Sequence, residues 1–231
     1  MSYFITGTDT GVGKTLVSCA LLHGFSAQGK LVAGFKPVAA GIDADGYNDD
    51  AKMLRAASTM SVSYEQVNPY CLREAIAPHI SARNEGVTIV LPRIFAVYRE
   101  LAEQADEVIV EGAGGFIVPL NDLQSSADLA RELALPVIVV VGMRLGCLNH
   151  ALLTVRAIDD YGLKCAGWVA NVIDEGMPSL QENIEALRER IAVPLLGVVP
   201  FMLEADIKVA MANLDLEILV LEGAPPSQSS P

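Results

Sequence analysis

The chain has 231 residues, 52% of them hydrophobic and 19% charged, which is enough for one α/β domain with a substantial core and too apolar for a disordered chain. Its 16 Lys+Arg stand against 28 Asp+Glu, a formal net charge of -12, so the surface as a whole repels phosphate polymers and anionic lipid. No nucleic-acid partner and no membrane partner is expected, and the four scattered cysteines, Cys19, Cys71, Cys147 and Cys165, read as reduced thiols and not as a zinc site.

Short runs rich in β-branched residues mark buried parallel strands at 3–6, 107–110, 136–141 and 165–170, with weaker candidates at 31–35 and 195–199. Helical spacing separates them, at 14–27, 49–57, 91–104, 126–133, 148–161 and 178–191. This alternation predicts an α/β fold with a doubly wound, mainly parallel sheet flanked by helices. Residues 41–92 lack strong strand runs and read as a helical excursion at the carboxyl edge of the sheet, where ligands bind in such folds. A single domain is expected over 1–222, followed by a frayed tail at 223–231. The start carries no signal-peptide pattern and no apolar run approaches membrane-spanning length, so a cytoplasmic protein is expected.

The first strand runs into Gly7-Thr8-Asp9-Thr10-Gly11-Val12-Gly13-Lys14-Thr15 and then into an apolar helix. Strand, glycine-rich loop and helix in that order are the context of a phosphate-binding loop: backbone N–H groups face phosphates, Lys14 reaches the outer ones and the Thr15 hydroxyl can hold Mg²⁺. The first glycine falls one residue early, at Gly7, with Thr8 where G-x-x-x-x-G-K-[ST] has glycine. A second strand delivers Glu111 to its own end, with Gly112, Ala113 and Gly114 directly after, which makes Glu111 a candidate Mg²⁺ ligand.

Lys36 ends another strand against Pro37, so it leaves the sheet edge in a defined direction and offers a second ammonium for phosphoryl transfer. Taken alone it would read as a solvated surface lysine. Asn48-Asp49-Asp50-Ala51 supplies a helix N-cap, while Asp50 can instead complete a metal shell with Thr15 and Glu111. From the residues alone the chain is an ATP- or GTP-dependent enzyme or switch that uses Mg²⁺.

In order, these blocks resemble the dethiobiotin synthetase family, with a P-loop nucleoside triphosphate hydrolase fold. The resemblance covers residues 3–202 and also rests on Asn68-Pro-Tyr70, Ala77-Pro-His79, Leu145-Gly-Cys-Leu-Asn-His150, Ala166-Gly-Trp-Val-Ala-Asn171 and Leu196-Gly-Val-Val-Pro200. It implies ATP- and Mg²⁺-dependent closure of a ureido ring on 7,8-diaminopelargonate with CO2, by a homodimer with active sites at its interface. Gly11, Val12, Gly13, Lys14, Thr15 and Leu16 would hold the ATP phosphates, with Thr15, Asp50 and Glu111 around Mg²⁺. Asn171, Val172, Pro200, Phe201 and Met202 would line the adenine site. Lys36 would be the catalytic lysine, with Thr10 and Lys14 beside it around the carbamate.

Ala40 and the partner's Cys147, Leu148 and Asn149 would meet the diamine substrate. Two positions depart from the pattern: Gly11 stands where some members have glutamate, and Ala40 where some have a serine that contacts the diamine. Related folds that lack the later blocks give the alternatives, an ATPase switch acting on a protein partner or an amidotransferase-type synthase domain. His79, His150 and Trp168 read as structural residues.

Overall fold

In the computed structural model, which describes residues 2–219, the apolar runs become strands because both of their faces can be covered. The expected boundary at 222 and tail at 223–231 lie outside the described residues. Strand β1 (Tyr3–Gly7) leads through the glycine loop into α1 (Lys14–Ala27), and β2 (Val32–Phe35) follows. After the excursion come α5 (Leu91–Ala102), β5 (Glu107–Glu111), α6 (Ser126–Leu133), β6 (Val137–Met143), α7 (Cys147–Asp160), β7 (Cys165–Val172), α8 (Leu180–Arg190), β8 (Leu195–Val199) and α9 (Ile207–Ala212).

Six strands form one sheet in the order β2-β5-β1-β6-β7-β8, and every pairing is parallel. Every residue of β1, β5 and β6 is buried, as a sheet covered on both faces requires. Each Val or Ile removed from water in this way contributes about 1.5–3 kcal/mol. Buried apolar side chains from Tyr3 to Leu219 join in one cluster, with Trp168 fully buried within it.

The strand order positions the site. From β1 the chain crosses to β2, leaving a gap that β5 later fills, and then passes from β5 to β6 on the other side of β1. Such a switch point opens a crevice at the carboxyl ends of the strands. In register, Glu111 lies beside Ile5 and Phe35 beside Val110. The last residue of β5, the residue after β2 and the loop after β1 therefore reach the same place.

One expectation needs correction. The stretch from 41 to 92 is not only helical: besides α2 (Asp49–Ala57), α3 (Tyr64–Val67) and α4 (Pro78–Asn84) it contains β4 (Tyr70–Leu72). That strand pairs in parallel with β3 (Val38–Ala40), Val38 opposite Tyr70 and Ala40 opposite Leu72, in a separate two-stranded sheet. Three residues are too few for a periodicity, so the pairing partner decides the conformation. Helix α9 was likewise not expected. No helix among the described residues is long and apolar enough to cross a membrane.

Candidate active site

The phosphate loop is held by close packing within it and by bonds to neighbouring segments. A Cβ on Gly7 would lie 2.6 Å from Val12 Cγ2 and 2.9 Å from the Asp9 carbonyl, so the early glycine is required by the fold of the loop. Thr8 takes the other role: its N–H donates to the Val140 carbonyl at 3.0 Å, and its hydroxyl accepts from the Gly142 N–H at 3.4 Å. Gly13, at φ 86°, turns the chain into α1 through the left-handed region. Lys14 is buried, and its Nζ donates to the Asp9 carbonyl at 3.4 Å. Burial, and then the neighbouring Lys36 charge, lower the Lys14 pKa below the ordinary lysine value.

Lys36 is not a surface lysine; it is 3% exposed. Its ammonium donates to Glu111 Oε1 at 2.5 Å, to Asp50 Oδ2 at 3.0 Å and to the Gly112 carbonyl at 3.4 Å. The Thr15 hydroxyl donates to the same Glu111 oxygen at 2.9 Å. Burial on its own lowers the Lys36 pKa, but Glu111 and Asp50 outweigh it and hold the ammonium above its ordinary value. For Asp50 burial acts upward, and the Lys36 charge overrides it, leaving the carboxyl below its ordinary value. The buried Cys19 thiol beneath the site is pushed up to about 12 by burial and by the Glu111 and Asp50 charges, which keeps it protonated and unreactive.

The two roles offered to Asn48–Asp50 fall to different residues. Asn48 caps α2, its side-chain oxygen accepting from the Ala51 N–H at 3.2 Å, so Asp50 in the first turn is free to meet Lys36. Three contributors had no assigned role. Asn68 donates to the Lys36 carbonyl at 2.6 Å and to the Tyr70 carbonyl at 3.2 Å, while the Lys36 N–H donates to the Val67 carbonyl at 2.8 Å. Asp9 accepts from the Thr10 N–H at 2.7 Å and from Arg144 at 2.5 Å, tying the loop to the segment before α7. The Asn-Pro pair before β4 was the only sequence signal for Asn68; Asp9 and Arg144 carried none of their own.

Of the other expected residues, six share one cavity and the rest stand at separate places. Leu16, Asn171, Val172, Pro200, Phe201 and Met202 line one cavity of about 180 Å³. The exposed Thr10 lies beside the glycine turn after β5, where a Cβ on Gly114 would stand 3.3 Å from the Thr10 hydroxyl. Gly11 is exposed at φ 74° with open space beside it. Ala40 ends β3, half-buried. Cys147, Leu148 and Asn149 open α7, and the Cys147 N–H donates to the Arg144 carbonyl at 3.0 Å. Among the described residues, these three share no hydrogen bond or ion pair with Lys36, Glu111 or Thr10.

The donor set can be tested against a divalent cation. Two carboxylates and a hydroxyl converge, and the second Glu111 oxygen is buried without a hydrogen-bond partner. Among the described residues no cluster of three or more His, Cys, Asp or Glu side chains forms a metal cage. A few hard oxygen donors with one position unspent fit Mg²⁺, which keeps several waters and takes the rest of its shell from phosphate.

A family model described as an AAA domain matches residues 1–208. The chain is 56% identical to the ATP-dependent dethiobiotin synthetase BioD of Aromatoleum aromaticum over 218 residues, 93% of this chain and 97% of that protein. It is 53% identical to the protein of the same name from Nitrosospira multiformis, over 93% of this chain and 94% of that one. Among solved structures, the MinC:MinD cell division protein complex of Aquifex aeolicus matches 100% of this chain and 99% of its own, with a TM-score of 0.55 and 13% identity. The septum site-determining protein MinD complexed with Mg-ADP from Pyrococcus horikoshii matches 94% and 89%, with a TM-score of 0.53 and 16% identity. At those identities the solved structures share the fold alone, that of P-loop nucleotide hydrolases, whereas the sequence relatives extend over nearly the whole chain: it belongs to the ATP-dependent dethiobiotin synthetase family.

Proposed function

We propose that this chain closes the ureido ring of dethiobiotin, converting 7,8-diaminopelargonate, CO2 and ATP to dethiobiotin, ADP and phosphate. The observation that carries the reading is the Lys36 ammonium, buried at the meeting point of the phosphate loop, Glu111 and Asp50. A fixed cation there is aimed at charge that develops during phosphoryl transfer.

In the proposed course one substrate amine adds to CO2 and loses a proton, giving a carbamate. A carbamate oxygen attacks the γ-phosphorus and ADP departs. The second amine then attacks the carbonyl carbon of the mixed anhydride, the ring closes, and phosphate leaves with the former carbamate oxygen. Lys14 and Lys36 hold the phosphate and carbamate oxygens, and Thr10 flanks them. Little covalent chemistry falls to the protein, so positioning and charge neutralisation supply the rate.

Thr15, Asp50 and Glu111 would hold Mg²⁺, which when bound neutralises phosphate charge. Gly11, Val12, Gly13 and Leu16 would complete the phosphate side, with Gly112, Ala113 and Gly114 after β5 beside it. The cavity lined by Asn171, Val172, Pro200, Phe201 and Met202 would take adenine. A homodimer belongs to the same proposal, Ala40 meeting the diamine and the α7 start of the partner supplying Cys147, Leu148 and Asn149; a helix N-terminus attracts a carboxylate. So do a cytoplasmic setting and a single domain over 1–222.

The test is phosphate release. It should require diaminopelargonate and bicarbonate together. Slow hydrolysis indifferent to the diamine, in protein that binds ATP, would point instead to a nucleotide switch or an amidotransferase-type synthase domain.

A further inference from the structure

We infer that Asn171 is a positioning residue of the phosphate loop, holding the Val12–Gly13 peptide from the end of β7 as well as standing beside the proposed base cavity. The inference rests on the proposed nucleotide site and not on the chemistry of the diamine.

Asn171 is 4% exposed, and its side-chain Nδ2 donates to the Val12 carbonyl at 2.8 Å in a fully buried bond spanning 159 positions of sequence. The peptide it holds has few alternatives. Val12 is 1% exposed and plugs the space between two glycines: a Cβ on Gly142 would lie 2.7 Å from Val12 Cγ1, as one on Gly7 would crowd Cγ2. Gly13 packs directly on the Asn171 amide, and any side chain there would overlap Nδ2.

The consequence is directional. In a planar trans peptide the N–H points opposite to the C=O, and the described chain has no cis bond. Fixing the Val12 carbonyl toward β7 therefore aims the Gly13 N–H away from β7. Gly13 then closes the first α1 bond, its carbonyl accepting from the Val17 N–H at 3.1 Å, and Lys14 follows. An array of N–H groups binds anions only while its peptides keep their orientation. Without the amide donor, this peptide can rotate about the left-handed glycine and withdraw one phosphate donor.

Tripolyphosphate with Mg²⁺ separates this role from base reading, because it has no base. Calorimetric titration should show tripolyphosphate binding weakened by about fivefold in Asn171→Ala and Asn171→Ser, the loss of one buried hydrogen bond, with ATP weakened at least as much. A change of less than threefold for tripolyphosphate overturns the inference, whether ATP binding or thermal stability alone has fallen. Hydrogen exchange in the ligand-free folded variants gives the second reading: the Val17 amide, which donates to the Gly13 carbonyl, should exchange faster than in wild type, and unchanged protection overturns the inference. Failure of wild type to bind tripolyphosphate and ATP alike would sink the nucleotide site itself, a different result from intact binding that the variants leave unchanged.

Discussion

The proposed phosphate end of the site and the proposed substrate end are built differently. Around Lys36 every group is buried or tied: Glu111 is fully buried, Asn68 holds the Lys36 backbone, and Val12 is wedged between glycines. At the other end Cys147 is buried, but Ala40 is half-buried at a strand terminus, Leu148 is half-buried, and Asn149 is exposed. Phosphoryl transfer needs fixed charge, and a preorganised cluster supplies it without rearrangement at the moment of reaction. A site that a second copy completes would leave its far side open in the isolated chain, which agrees with the proposed interface.

Breaking the phosphate end should give the largest effect. Lys36→Gln is expected to lower kcat by about 10²-fold or more, the scale of removing a transition-state donor. It also strips the fully buried Glu111 of its cation, a loss of the order of 3–5 kcal/mol when one partner of a buried pair goes. Thermal unfolding should therefore show a lower Tm beside the kinetic loss. Near-normal turnover would remove Lys36 from the reaction.

Asn68→Ala probes the same end one step back. It leaves the Lys36 carbonyl without its side-chain donor, and an unsatisfied buried group costs about 1–3 kcal/mol. We expect kcat to fall about tenfold with ATP affinity nearly unchanged, as steady-state kinetics and ATP titration would report. An effect on ATP affinity alone would contradict the positioning role.

Ala40→Ser probes the open end. A restored hydroxyl should lower the diamine KM by a few-fold, the scale of one hydrogen bond of about 0.5–1.5 kcal/mol, and leave the ATP KM alone. A changed ATP KM would blur the distinction between the two ends. Arg144→Gln should have a smaller effect, because both partners of the Arg144–Asp9 pair are more than two-fifths exposed and such pairs are worth about 0–1 kcal/mol. A fall in turnover of a few-fold at most is expected.

The smallest effect is a pH dependence. The Asp50 carboxyl lies below its ordinary value of 3.8 in the fold, burial being overridden by Lys36. Its contribution to stability is then present above that value and lost as pH falls through the lower folded one. The Tm difference between wild type and Asp50→Asn should be constant above about pH 5 and shrink in stronger acid. A difference that stays constant into strong acid would deny the Lys36–Asp50 interaction.

Much of this was legible in the sequence where a single segment carries its own signal. Helix α1 falls on the expected 14–27, and all six strands of the main sheet lie on the expected apolar runs. The loop from Gly7 to Thr15 is a local pattern, as is the carboxylate that ends β5. What was not legible depends on residues far apart in sequence. Lys36 is marked by its place among the blocks, but taken alone it reads as solvated because its partners are 14 and 75 positions away. The strand Tyr70–Leu72 exists only because Val38–Ala40 lies beside it. Asn68 and Arg144 act on backbone and charge that only the folded chain brings near.

The most direct test follows the oxygen. With bicarbonate labelled with ¹⁸O, mixed rapidly with protein, diaminopelargonate and ATP to limit exchange with water, mass spectrometry of the released phosphate reports where the carbamate oxygen goes. Attack of the carbamate on the γ-phosphorus predicts one ¹⁸O in the phosphate; phosphate free of label, alongside labelled dethiobiotin, would contradict it.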